Sequence, residues 1–124
     1  FSNGLAGAGA IRSSTKDMMI YLKNSMKDYK NSVFQEAKYT SLLSEKAKVN
    51  LGWIVVDMPG KLGERIIAHD GATSGFRSYL GFVESEDIGV IILANGTRSV
   101  TSLGKNILQI LAKESKKSAS IANL

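Results

Sequence analysis

The stretch His69-Asp70-Gly71-Ala72-Thr73 sets an imidazole, a carboxylate and a run of small residues ahead of an alternating segment that ends at Val83. Imidazole titrates closest to neutrality and suits proton transfer. Gly71 permits close backbone approach, and the residues after it would offer backbone N–H groups at a sheet edge, where a ligand or a developing oxyanion can accept them. A histidine at a strand end is also commonly a hydrogen-bonded surface residue, so the residues alone leave both readings open. Two other patterns place a lysine one helical turn after a serine, Ser13 to Lys16 and Ser102 to Lys105. A lysine so placed could take the proton of a nucleophilic serine. Both have plainer explanations. Ser13 lies just outside a capped helix with Lys16 in its first turn, and in the second pattern Leu103 reads as a core residue between solvent-facing ones. Tyr29-Lys30-Asn31, a tyrosine two places before an asparagine, falls at a helix end.

These residues need elements to position them. Met18, Leu22, Met26 and Tyr29 recur at helical spacing, and Ser14 with Asp17 three residues on forms a capping box, predicting a helix over 15–29. The preceding Gly- and Ala-rich lead-in has no period. Residues 39–47 read as a short helical piece. From Leu51 the texture becomes strand-like: 51–57, then a turn with the only proline, then 65–69, then 76–83, an acidic turn, and the apolar run 88–95. Phe76, Leu80 and Phe82 fall on one face, Arg77 and Tyr79 on the other. A last helix from about Ser99 to Glu114 repeats Val100, Leu103, Ile107 and Leu111 on one face, and the tail after it reads as frayed. The expectation is an α+β fold, an antiparallel sheet flanked by helices, with 1–50 a segment of a helical part and 51–124 the sheet with its C-terminal helix. Only that last helix is expected to cover the sheet. The second face then needs cover from elsewhere, which predicts association with an upstream part of the same protein or with a second copy.

Composition narrows the classes. The 124 residues contain no cysteine, which excludes disulfides, a thiolate nucleophile and a cysteine-ligated zinc. The formal net charge of +5 invites a nucleic-acid reading, yet the basic residues are scattered along the chain and aromatic residues do not interleave with them, so no nucleic-acid partner is expected. The longest apolar run, 88–94, is far short of the roughly 20 residues that span a bilayer.

The block from His69 to Gly96 resembles the C-terminal part of the class C β-lactamase and serine DD-peptidase family, the serine β-lactamase-like hydrolases. That family has Lys-Thr-Gly or His-x-Gly, a short loop, Gly-Phe, an alternating strand, an acidic turn and a strand ending in Asn. Here these are His69 to Gly71, Gly75-Phe76, Tyr79 to Val83, Glu84 to Asp87 and Ile88 to Asn95. The stretch from Gly7 to Lys23 is similar to the family's helix after a glycine-rich turn, and Leu51 to Asp57 to its Gly-Trp strand. The resemblance runs from about Gly4 to Ala112.

The resemblance implies an acyl-enzyme hydrolase in which His69 contributes to proton movement and the backbone N–H of Ala72 is one of two oxyanion donors. Asp70, Gly71 and Thr73 would contact substrate. The implied substrate is a small molecule or peptide, namely a β-lactam, a D-Ala peptide or an ester, handled without a cofactor or metal in the bacterial periplasm or outside the cell. Asp70 stands where the family commonly has Thr or Ser against a substrate carboxylate, which shifts weight toward neutral esters or amides. The family's own Ser-x-x-Lys and Tyr-x-Asn elements precede everything seen here. The chain is therefore expected to be the C-terminal portion of a longer hydrolase and inactive alone. A noncatalytic binding or scaffold module with the same fold is the alternative.

Overall fold

A computed structural model of the chain describes residues 3–31, 41–44, 47–58 and 64–122. A 3-10 turn (Asn3–Leu5) and a single-turn helix α1 (Ala6–Gly9) occupy the lead-in that the sequence leaves irregular. Helix α2 (Thr15–Tyr29) has the predicted bounds. Ser14 caps it: its Oγ accepts the Asp17 N–H at 3.2 Å and donates to the Asp17 carboxylate at 2.8 Å, so one hydroxyl satisfies an orphan donor and holds an anion at the positive helix end.

Six strands follow, β1 (Ser41–Ser44), β2 (Ala47–Asn50), β3 (Trp53–Asp57), β4 (Arg65–Ala72), β5 (Phe76–Val83) and β6 (Gly89–Asn95). They form one sheet in chain order, each antiparallel to the next. Strands β3 to β6 are the four expected. The sheet also takes in β1 and β2, which lie where a short helical piece over 39–47 was expected, within the 1–50 segment assigned to a helical part. Alternation explains this: Ala47 and Val49 face one way and Lys48 the other, a period of two that a four-residue strand shows too briefly to stand out. The β2–β3 link is a two-residue turn in which Leu51 (φ 49) and Gly52 (φ 86) are both left-handed. Such a turn matches the twist of the flanking strands. Leu51 and Gly52 are thus turn residues, and the strand read from Leu51 begins at Trp53. Of the predicted proline turn, residues 59–63 lie outside the described ones; its ends are closed by Met58 N–H on the Glu64 carbonyl at 2.8 Å.

Helix α3 (Thr101–Ala122) continues two turns past the expected end, through residues read as a frayed tail. It packs on one face of the sheet through Gly104, Leu108 and Ala112, against Ile66, Ala68, Tyr79, Val83 and Val90. The expected stripe is off by a position. Val100 and Ile107 flank the contact, while Leu103 is 53% exposed and Leu111 42%. The cause is Tyr79, whose ring lies flat enough against Gly104 that any Cβ there would overlap it. The seam is therefore built from small residues around a large one, and the larger aliphatic side chains ride at its edges.

The opposite face is not open. Leu22, Met26 and Tyr29 of α2 pack on Trp53, Val55, Ile67 and Phe82, with Tyr29 and Trp53 each meeting the Phe82 ring edge-on at 5.5 and 5.6 Å. This corrects the expectation that the chain covers only one face. A meander leaves its upstream helix free to fold back across the finished sheet, and the apolar stripe of α2 is what the second face required.

Candidate active site

The β3–β4 ladder pairs Asp57 with Arg65 and continues to Ile54 with Ala68, where it stops. Among the described residues, His69 to Ala72 are paired on one side only, by β5 from Leu80 to Arg77. The same strand is buried over Ile66 to Ala68 and exposed from His69 onward. At the two ends of the β4–β5 ladder Glu84 N–H donates to the Arg65 carbonyl and Thr73 N–H to the Phe76 carbonyl, both at 3.0 Å. Hydrogen-bonded and non-hydrogen-bonded pairs alternate in an antiparallel ladder. His69 and Gly71 therefore turn their backbone groups toward β5, and Asp70 and Ala72 turn theirs to the bare edge.

Side chains alternate too. His69 and Gly71 lie on the α2 face, and Asp70 and Ala72 on the α3 face. Gly71 is opposite Ser78, whose Oγ occupies the space a side chain would need, since a Cβ on Gly71 would lie 2.5 Å from it. Ser78 thus brings a hydroxyl to the face of His69, a residue the sequence reading passed over. Its signal was present: it is the one polar residue among Phe76, Leu80 and Phe82 on that face.

The exposed Asp70 carboxylate is tied to the start of α3. Its Oδ2 accepts the Thr101 hydroxyl at 2.5 Å, and Thr101 Oγ1 in turn accepts from Ser99 Oγ at 3.1 Å. The carboxylate sits at the start of α3, where the helix dipole favours negative charge. Thr73 is half-buried and its backbone is committed to the turn: its carbonyl and that of Phe76 both accept from Arg77 Nη1, at 2.5 and 2.8 Å. At its other end β4 is held by Arg65, which forks onto the Glu84 carboxylate at 2.6 and 2.7 Å. Tyr79, opposite Asp70, is buried with its hydroxyl unpartnered among the described residues. Burial first, and the nearby Asp70 charge second, push its phenol far above the usual tyrosine range.

Both serines of the serine–lysine patterns are exposed at helix starts. Ser13 Oγ donates to the Ser14 carbonyl at 3.4 Å, and among the described residues no hydrogen bond joins it to the exposed Lys16. In the other pattern Ser102 is exposed on the first turn of α3; Leu103, read as core, is exposed as well, and the buried member is Gly104. Tyr29 belongs to the core. Among the described residues no group of His, Asp or Glu side chains is arranged to hold a metal ion.

A helix on each face of an antiparallel sheet, with one strand half bared at a His-Asp-Gly element, is an α+β arrangement of the β-lactamase-like kind. Comparison with family models gives the same result from sequence: the Beta-lactamase model matches residues 1–114, and the chain belongs to that family. No curated protein and no solved structure matches it.

Proposed function

We propose that this chain forms one wall of the active site of a serine hydrolase that works through an acyl-enzyme, of the class C β-lactamase, DD-peptidase or esterase type. The observation that supports this is the bare half of β4, which turns the Ala72 N–H to an unpaired strand edge from which it can donate to an oxyanion. A serine from a Ser-x-x-Lys element outside these residues adds through Oγ to the substrate carbonyl carbon. The oxyanion accepts from Ala72 N–H and from that serine's own N–H. Collapse expels the leaving group, which takes the proton that the serine gave up to its lysine, and water then attacks the ester and frees the enzyme. His69 lies beside this edge, exposed and able to bias proton movement there.

Asp70 is given a positioning role, because its carboxylate is engaged by Thr101 on the face away from His69. Substrates are β-lactams, D-Ala peptides or esters, and the compartment proposed with them is the bacterial envelope. A fluorophosphonate probe tests the reading. This chain alone should remain unlabelled, whereas a protein joining it to an upstream Ser-x-x-Lys should be labelled at that serine, more slowly after His69→Ala. Labelling at Ser13 or Ser102 would overturn it.

A further inference from the structure

Helix α2 buries one side on the sheet, and its other side has a character of its own. Lys16, Lys23, Lys27 and the capping Lys30 are spaced so that, at about 100° per residue, they fall within an arc of roughly 60°. All four are exposed and form no ion pair among the described residues. They run for ~21 Å along the helix at 1.5 Å per residue. Met19 and Ile20 flank the arc, each about 20° beyond one of its edges, and are 38% and 55% exposed. The acidic members of the helix, Asp17 and Asp28, sit to one side, and Asp17 is occupied by the cap. A charge that looks scattered in sequence is thus gathered by the helical period into one line.

We propose that this face of α2 binds the surface of an anionic phospholipid bilayer. On such a surface the lysines of α2 meet the headgroups, and Met19 and Ile20, at the two borders of the lysine arc, reach toward the acyl boundary beside them. Charge complementarity fixes the sign of the partner. Met19 and Ile20, bordering the lysines on either side, favour a bilayer over a nucleic acid, whose phosphate backbone offers such side chains nothing to enter. The attachment is peripheral, since no helix among the described residues is long and apolar enough to cross a membrane.

The full chain is sedimented with vesicles of phosphatidylcholine alone or with about 30% phosphatidylglycerol, a lipid that gives the surface its negative potential. Binding should appear only with the anionic vesicles and weaken as salt is raised. At roughly fivefold per basic residue, Lys23→Glu with Lys27→Glu should lose well over tenfold. Arg98→Glu with Lys113→Glu, an equal change in net charge elsewhere, should stay within about threefold. Met19→Ser with Ile20→Ser should also weaken vesicle binding while leaving any association with duplex DNA unchanged. Circular dichroism checks each fold; if the charge reversal disturbs α2, Lys23→Gln with Lys27→Gln is read in the same assay. The proposal fails if anionic vesicles are not bound, if the two charge variants lose equally, or if the serine variant binds like the parent.

Discussion

Thr101, the first residue of α3, donates its hydroxyl hydrogen to Asp70 Oδ2 at 2.5 Å, tying a helix start to the half of β4 that β3 leaves bare. Ser99 extends the tie by donating to Thr101 Oγ1 and by accepting the Thr101 N–H at 3.3 Å. The bare strand end is thus braced from the α3 side and, through Arg77, at the turn that follows it. Thr101→Val should cost about 1 kcal/mol, held down by the exposure of Asp70, and Thr101→Ser should restore most of it. Urea unfolding of both, with Asp70→Ala and the double variant, should give a coupling energy of similar size; additive losses would mean the two side chains act separately.

Helix propensity and packing make opposite forecasts for Gly104→Ala. Propensity favours alanine by about 1 kcal/mol, while overlap with the buried Tyr79 ring should cost roughly 2–3 kcal/mol. Packing should win, lowering the thermal midpoint. Adding Tyr79→Ala should then cost less than the sum of the single changes, because the clash is gone; strict additivity would remove the explanation offered for the displaced seam.

Tyr79 also predicts an alkaline signature. In the unfolded chain its phenol ionises near the ordinary 10.0, and in the folded chain well above that, so between the two values the unfolded state binds fewer protons. Stability from this group is fully present below about pH 10 and is lost as pH rises beyond it. Tyr79→Phe should flatten that loss. At neutral pH it should be neutral or slightly stabilising, since the hydroxyl it removes is buried without a partner among the described residues. Denaturant midpoints at pH 7 and about pH 11 compare the two.

At the β2–β3 turn Leu51 holds a left-handed conformation that costs a side-chain-bearing residue about 1 kcal/mol or more. Asparagine tolerates it far better, so Leu51→Asn should raise the unfolding free energy by roughly 0.5–1 kcal/mol. A loss would indicate that the exposed Leu51 side chain contributes packing that outweighs its backbone strain.

What could be read from the sequence follows from which signals are local. The cap at Ser14 and the period of α2 lie within a few residues, and strands β3 to β6 show as short apolar or alternating runs between turns. The contact face of α3 was misread because periodicity was followed through its largest aliphatic residues, while Tyr79, far away in sequence, selects the smallest. The second helix layer was missed for a related reason: α2 was recognised, but which sheet face it serves depends on how the meander folds back. At the site, residue types alone mark His69, Asp70 and Gly71, and the resemblance gives them roles. The division of that triplet between two faces emerges only from the β4–β5 register, as does the arrival of Ser78 beside Gly71.

Strand order that follows chain order also has a kinetic meaning. Each strand pairs with the one made just before it, so the sheet can grow by short loop closures, whereas the docking of α2 onto β5 and β6 joins segments far apart in the chain. The sheet should therefore form early and α2 should settle onto it late. In a chevron experiment, truncating Leu22 or Met26 should chiefly speed unfolding, whereas truncating Ile67 or Phe82 should slow folding. Until α2 arrives, its apolar stripe and the sheet surface it will cover are both in water, which makes the interval before docking the time when this chain is most prone to self-association.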